Sequence, residues 1–247
     1  MARRLGLGVR HDLPLSGVAS GLIPSREWKL ANRGSEWVVG DTLNTSIGQG
    51  LVLSSPLELA VMTSRLATGR QILPQLVRTL NGVNQRVDSF AEIDIPAAHL
   101  DVIRQGMWSV TNFRRGTAFG ARVTEEGYEI AGKTGTSQVR NITAAEREAG
   151  VTANEDLPWD RRDHALFVGY APADNPRYAV SVVVEHGGGG SAVAAPIARD
   201  LLLRAMYGEL PPLSAYPVGL RRDIEEMHDN MDLLPLEILR STGRVRA

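Results

Sequence analysis

The sequence predicts an α+β fold, an antiparallel sheet covered by helices, on three observations. A capped helix opens at Ser55–Pro56 and a second opens at Pro96. Three strand-like runs follow, Glu129–Ser137, His164–Tyr170 and Tyr178–Val184. The Pro172–Pro176 connection between the last two is short enough for a hairpin, hence antiparallel pairing. Helices first and strands afterwards is not the βαβ alternation of a nucleotide fold.

Taken in order, Met1–Leu5 reads as the last turn of a helix stopped by Gly6 and Gly8. Asp12 to Pro24 is a loop punctuated by Gly, Pro and Ser. An irregular segment with Trp28 and Trp37 as packing anchors follows, and then a tight polar turn at Ser46–Gly50. Ser55 can cap the next helix, Pro56 takes its first position and Glu58 completes the capping box, with Gly69 as its stop. Leu59, Met62 and Leu66 recur at helical spacing, so one face is buried. Leu73–Val77 reads as a short strand and turn. The helix from Pro96 to about Val110 puts Leu100, Ile103 and Met107 on its core face, and His99 beside it at the surface. Arg114–Ala118 is a loop.

The stretch 138–163 is long, polar and acidic, with Thr143 and Glu146 placed to cap one short helix. It either borders a cleft or is a solvated surface loop. A last helix from about Ala192 to Tyr207 carries Ile197, Leu201 and Met206. Residues 1–208 form one domain on this reading. Residues 209–247, after Pro211–Pro212, read as a polar, aperiodic and partly disordered tail.

Bulk properties narrow the function. A length of 247 residues with 43% hydrophobic and 22% charged residues suits a folded domain with a real core. A net charge of −1 gives no electrostatic case for nucleic acid. No run is long enough to cross a membrane, and the start does not resemble a signal peptide. The absence of cysteine excludes thiol catalysis, disulfides and Cys-based zinc sites.

The most informative stretch is Glu129–Ile–Ala–Gly–Lys133–Thr–Gly–Thr–Ser137. Of 27 basic residues other than histidine only Lys29 and Lys133 are lysines, so a compact ammonium has been kept here between two glycines. One reading is a binding strand for an anion, with Lys133 as the charge and Thr134 and Thr136 as hydroxyl donors. The other is an ordinary strand end with turn glycines. Gly127 to Thr134 also fits G-x-x-x-x-G-K-T, the phosphate-binding P-loop, with Val182–Glu185 as a second nucleotide motif. Against that rival, the preceding Arg122–Glu126 is too charged for a buried strand, and Gly135 would weaken the helix that a P-loop must open.

Lys133–Thr–Gly–Thr136 on a strand resembles the third motif of penicillin-binding proteins and serine β-lactamases. Further blocks resemble the elongation-type, class B branch known as penicillin-binding protein 2. They include Leu5–Gly8, Gly21–Ser25, Gly40–Thr42 with Ile47–Gly50, Pro56–Ala60 and Gly116–Ala118. Ala131–Ser137, His164–Pro172 and Glu185–Ser191 complete the set, and the likeness runs from Leu5 to about Gly208.

The resemblance implies a D,D-transpeptidase that cross-links peptidoglycan stem peptides, is acylated by β-lactams, and needs no cofactor or metal. It implies the periplasmic face of the inner membrane and a membrane glycosyltransferase of the elongation machinery as partner. Lys133 would supply positive potential, Thr134 and Thr136 would bind the substrate carboxylate, and Gly135 would admit the ligand. The Thr136 N–H would be one of two oxyanion donors. The family also needs a serine nucleophile in S-x-x-K and an S-x-N motif, and neither pattern occurs in these 247 residues. The expectation is therefore the C-terminal part of a transpeptidase domain, inactive alone. A P-loop NTPase and a non-catalytic peptidoglycan-binding module remain the alternatives.

Overall fold

The computed structural model describes residues 1–231 except 88, 141 and 143, and leaves out the side chains of 144, 145 and 147. Single-turn helices aside, the order is α1 (Arg26–Arg33), α2 (Val39–Ser46), α3 (Pro56–Thr68), β1 (Thr79–Leu80), β2 (Val83–Asn84) and α4 (Ala97–Asn112). Then come β3 (Ala131–Ser137), α5 (Ala144–Ala149), β4 (His164–Ala171), β5 (Tyr178–Val184), α6 (Ala195–Tyr207) and α7 (Arg221–Asp229). The main sheet is antiparallel, in the order β3-β4-β5, which leaves β3 at an edge.

Strand alternation splits this sheet between two cores. Ala131 and Tyr170 face one way and pack with Leu66 and Ala67 of α3 and Leu100 and Met107 of α4. Ala165 and Phe167 face the other way and pack with Ala194, Ala195 and Ala198 at the start of α6. Ile130, Ala171, Leu202, Leu203, Ala215, Tyr216 and Ile224 form a third cluster. Helices thus cover both faces, as the predicted fold class requires.

The α3 capping signals hold in detail, because Ser55 accepts from the Glu58 N–H at 3.2 Å and Glu58 from the Ser55 N–H at 2.8 Å. Glu58 is fully buried and also accepts from Gly8 at 2.7 Å and Val9 at 3.3 Å. One carboxylate therefore caps α3 and pins the first loop of the chain, consistent with a buried charge surrounded by donors.

Several local expectations are corrected. The segment around Trp28 is helix, opened by Ser25 and closed by Gly34 at φ 65°, and α2 leads into the turn at residues 47–50, which forms as expected. Asp41 accepts the Val38 N–H at 2.8 Å and the Lys29 ammonium at 2.6 Å, which hold its carboxyl below the usual range, Lys29 first. Lys29 therefore sits in a helix and an ion pair, not in an irregular segment. Residues 73–77 form no strand; the hairpin lies at β1–β2. Ile103, Ile197 and Leu201 are exposed, and α6 buries Ala198, Leu202 and Leu203 instead. His99 is exposed. Glu146 lies in α5 and pairs with Arg140 at 2.7 Å, while Thr143 lies outside the described residues.

The stretch after Gly208 is not an irregular tail throughout. Two single-turn helices and α7 put Ala215, Tyr216 and Ile224 into the core, and Arg199 lies 4.9 Å over the Tyr216 ring. An adjacent pair and one residue eight positions on carry too little period to read, yet they close one end of the sheet. Residues 232–247 lie outside the described ones.

Burial, and then the nearby Asp200 charge, push the Tyr216 hydroxyl up to about 12 from 10.0. Burial and then Glu125 also raise Tyr207. The neutral phenols are favoured in the folded state, so this stability is complete below pH 10 and is lost as pH rises toward 12. Urea unfolding between pH 8.5 and 11 should show that decline, and Tyr216→Phe should flatten its share, about 1.4 kcal/mol by pH 11.

Candidate functional site

The lysine strand is fixed first by its entry. The Ile130 carbonyl accepts from the Thr111 hydroxyl and from Asn112 Nδ2 at 2.8 Å, so the end of α4 holds the start of β3. The loop after α4 then folds back on its own helix. A Cβ at Gly116 would stand 2.3 Å from the Ser109 and Val110 carbonyls, and the Ala118 N–H bonds Val110 at 2.9 Å. This return brings Thr117 Oγ1 to 3.0 Å from Thr134 Oγ1.

Pairing with β4 sets the orientation of the strand. Residues of an antiparallel strand turn both N–H and C=O alternately toward and away from the partner. The Thr134 carbonyl accepts from Lys133 Nζ at 2.7 Å and the Thr136 carbonyl accepts from Gln49 Nε2 at 3.1 Å, so both face the open edge. The Thr134 and Thr136 N–H groups consequently face the same edge.

Side chains obey the other alternation. Thr134 and Thr136 share the face of Gly132 and Phe167, whereas Lys133 rises on the face of Ala131 and Tyr170. The ammonium returns to the common edge by folding over the strand to the Thr134 carbonyl. The cation and the two hydroxyls that sequence spacing grouped together thus meet only at the edge. Gly132 has a packing reason, since a Cβ there would stand 2.3 Å from the Phe167 ring and 2.5 Å from the Val168 carbonyl. Gly135 is covered by Gly190, whose added Cβ would lie 2.4 Å from the Gly135 carbonyl.

Gln49 is the residue that the reading of a polar turn missed as part of this site. It belongs to the Ile47–Gly50 block, and 87 residues separate it from Thr136, so no local spacing could pair them. The stretch 138–163 is closed by Asn154 Oδ1, which accepts the Asp163 N–H at 2.9 Å, and it packs on the turn after β5, where the Trp159 and His186 ring centroids lie 4.3 Å apart.

The P-loop reading is overturned here. Gly132, Lys133 and Thr134 lie inside β3, opposite Gly169, Val168 and Phe167. The G-K-T opens no helix, so no fan of free helix N–H groups faces a phosphate. Val182–Val184 is a strand paired with β4.

Residues 1–203 match the penicillin-binding protein transpeptidase domain. The chain is 32% identical over 235 residues to the peptidoglycan D,D-transpeptidase MrdA of Haemophilus influenzae, covering 92% of this chain and 35% of that protein. It is 34% identical over 218 residues to MrdA of Acinetobacter baumannii, covering 85% and 31%. The chain thus spans about a third of the length of these relatives. Among solved structures, Pseudomonas aeruginosa PBP2 in complex with WCK 5153 superposes with a TM-score of 0.66 at 38% identity, over 87% of this chain and 46% of that one. Helicobacter pylori PBP2 in its complex with MreC gives 0.66 at 29% identity, over 83% and 34%.

Gln49→Ala should leave stability within about 0.5 kcal/mol in urea unfolding, because the residue is at the surface. The Thr136 carbonyl ¹³C resonance should move upfield as it loses its donor, while that of Gly132 stays in place.

Proposed function

The chain belongs to the penicillin-binding protein transpeptidase family, and from that premise we propose that it carries the substrate-binding strand of a peptidoglycan D,D-transpeptidase. The observation that carries this reading is the open edge of β3. There the Lys133 ammonium and the Thr134 and Thr136 N–H groups converge on one side of the strand, with the Thr136 hydroxyl exposed beside them.

Such an edge is suited to an extended peptide ending in a carboxylate. The peptide adds alongside β3 through main-chain hydrogen bonds. Its carboxylate meets Lys133, Thr134 and Thr136, and Gly135 keeps the approach free of a side chain. The Thr136 N–H is aimed where negative charge develops on an attacked carbonyl oxygen, and a fixed donor is most effective there. Lys133 suits this place because an ammonium is a compact charge with rotatable donors, whereas a guanidinium is broad and planar. A β-lactam carries the same carbonyl and carboxylate and engages the same edge.

The attacking serine, in this reading, comes from protein outside these 247 residues, which contain no S-x-x-K. The complete protein works at the periplasmic face of the inner membrane beside a membrane glycosyltransferase, in maintaining cell shape. The solved complex of a related PBP2 with MreC makes a protein of that kind a further candidate partner.

Two measurements test the reading. The 247-residue chain should show no covalent labelling by a fluorescent penicillin, since covalent catalysis stops without its nucleophile; a stoichiometric serine adduct would overturn the assignment. In a chain extended by the acylating segment, Lys133→Arg should keep its melting temperature but slow acylation by about tenfold or more, about 1.4 kcal/mol. Lys133→Ala should be slower still, and wild-type rates for both would reduce Lys133 to a strand-end residue.

A further inference from the structure

A second group of side chains lies outside the lysine strand itself, around the turn that packs against it. β4 begins at His164, which pairs with Ser137, the residue after Thr136. β5 ends at Val184, and the turn that follows places His186 at φ 55°, a region that side-chain-bearing residues rarely occupy. Its N–H donates to His164 Nδ1 at 2.9 Å. Its own Nδ1 lies 2.9 Å from the Arg162 carbonyl and so carries the proton. The His186 ring rests between Trp159, at 4.3 Å, and the edge of His164, at 4.8 Å.

The turn then reaches the binding strand. The Gly188 N–H bonds the Asp163 carbonyl at 2.8 Å. Gly190 is pressed so closely on β3 that an added Cβ would stand 2.4 Å from the Gly135 carbonyl and 3.0 Å from its nitrogen. Gly135 lies between Thr134 and Thr136. The pair of imidazoles is therefore connected, through four residues of glycine turn, to the backbone that presents both threonines.

We propose that His164 and His186 are positioning residues for the Thr134–Thr136 segment, with the neutral His164 ring, as acceptor at Nδ1, holding the glycine turn against β3. The functional meaning rests on the reading of β3 as the substrate strand. The bond needs the Nδ1 lone pair. Protonation replaces that lone pair with an N–H that faces the His186 N–H, so the bond cannot persist and His186 loses the partner that holds it at positive φ. The charged residues next to the pair along the chain are Asp160, Arg161, Arg162 and Asp163 before β4 and Glu185 on the turn, and Arg140, after β3, lines a cavity together with Asp163. Arg162 turns its guanidinium away, to the Leu157 and Glu155 carbonyls at 3.0 and 2.9 Å.

The test is a ¹H–¹⁵N titration of the 247-residue chain between about pH 8 and pH 5. The His186, Gly188 and Gly135 amides should move with one shared midpoint, that of the His164 ring. The protection factor of the His186 N–H, its exchange rate corrected for the intrinsic slowing of amide exchange at lower pH, should drop by about tenfold below it, the loss of one hydrogen bond. His164→Asn offers an acceptor oxygen without a titrating ring and should hold the Gly135 resonance at its high-pH position throughout. His164→Ala should show the low-pH positions at every pH. A Gly135 amide that stays fixed while His186 titrates, or a His164→Asn chain that titrates like wild type, would overturn the proposal.

These readouts need no β-lactam, so they stand apart from the transpeptidase reading. In the chain extended by the acylating segment, the ratio of acylation rates at pH 8 and pH 5.5 should be larger for wild type than for His164→Asn. Equal ratios would remove the positioning role, whereas no acylation at either pH would remove the transpeptidase reading instead.

Discussion

The pairing of β3 with β4 is the constraint on which the rest of the site depends. It leaves one strand edge unpaired and decides which backbone groups look outward. Thr134 and Thr136 present their carbonyls there, to Lys133 and Gln49. A shift of one residue in this register would turn those groups inward and exchange the faces of Lys133 and the threonines. Both cores act against such a shift, since Ala131 would then leave the α3–α4 side and Ile130 the α6–α7 side. The hydrophobic pattern on either side of the sheet thus fixes the chemistry at its edge.

Close backbone packing is the second requirement. Gly132 admits the Phe167 ring, Gly116 lets the loop fold back on α4, and Gly190 lies on Gly135. At each place a single methyl group would meet a carbonyl oxygen or a ring at 2.5 Å or less. These glycines serve packing and not freedom of φ, and together they bring three distant segments within reach of one strand. An unpaired sheet edge is usually a liability. Here the Gln49 amide and the Lys133 ammonium occupy part of it.

Some of this was legible in the chain. The α3 helix could be read from residues three apart, Ser55 and Glu58, because a capping box is satisfied within one turn. The β4–β5 hairpin followed from a short connection between two apolar runs. The helices at Trp28 and Val39 were not legible, because their apolar positions are few and no core covers them. The segment from Ala215 to Ile224 was missed for the opposite reason: its core residues follow no regular period and gain meaning only against Arg199, Leu202 and Leu203.

The sequence by itself determined the fold class and the family. These rest on local signals, on capping, strand length and motif order, which survive without knowledge of distant contacts. The tertiary structure alone decided that Lys133 and the two threonines leave β3 on opposite faces, that Gln49 reaches the Thr136 carbonyl, and that the His186 N–H meets His164 beside the glycine turn packed on Gly135. Each of these depends on the register of β3 against β4 and on contacts between residues from 22 to 87 apart. Such contacts carry no periodicity, so the chain must fold before its geometry can tell them apart.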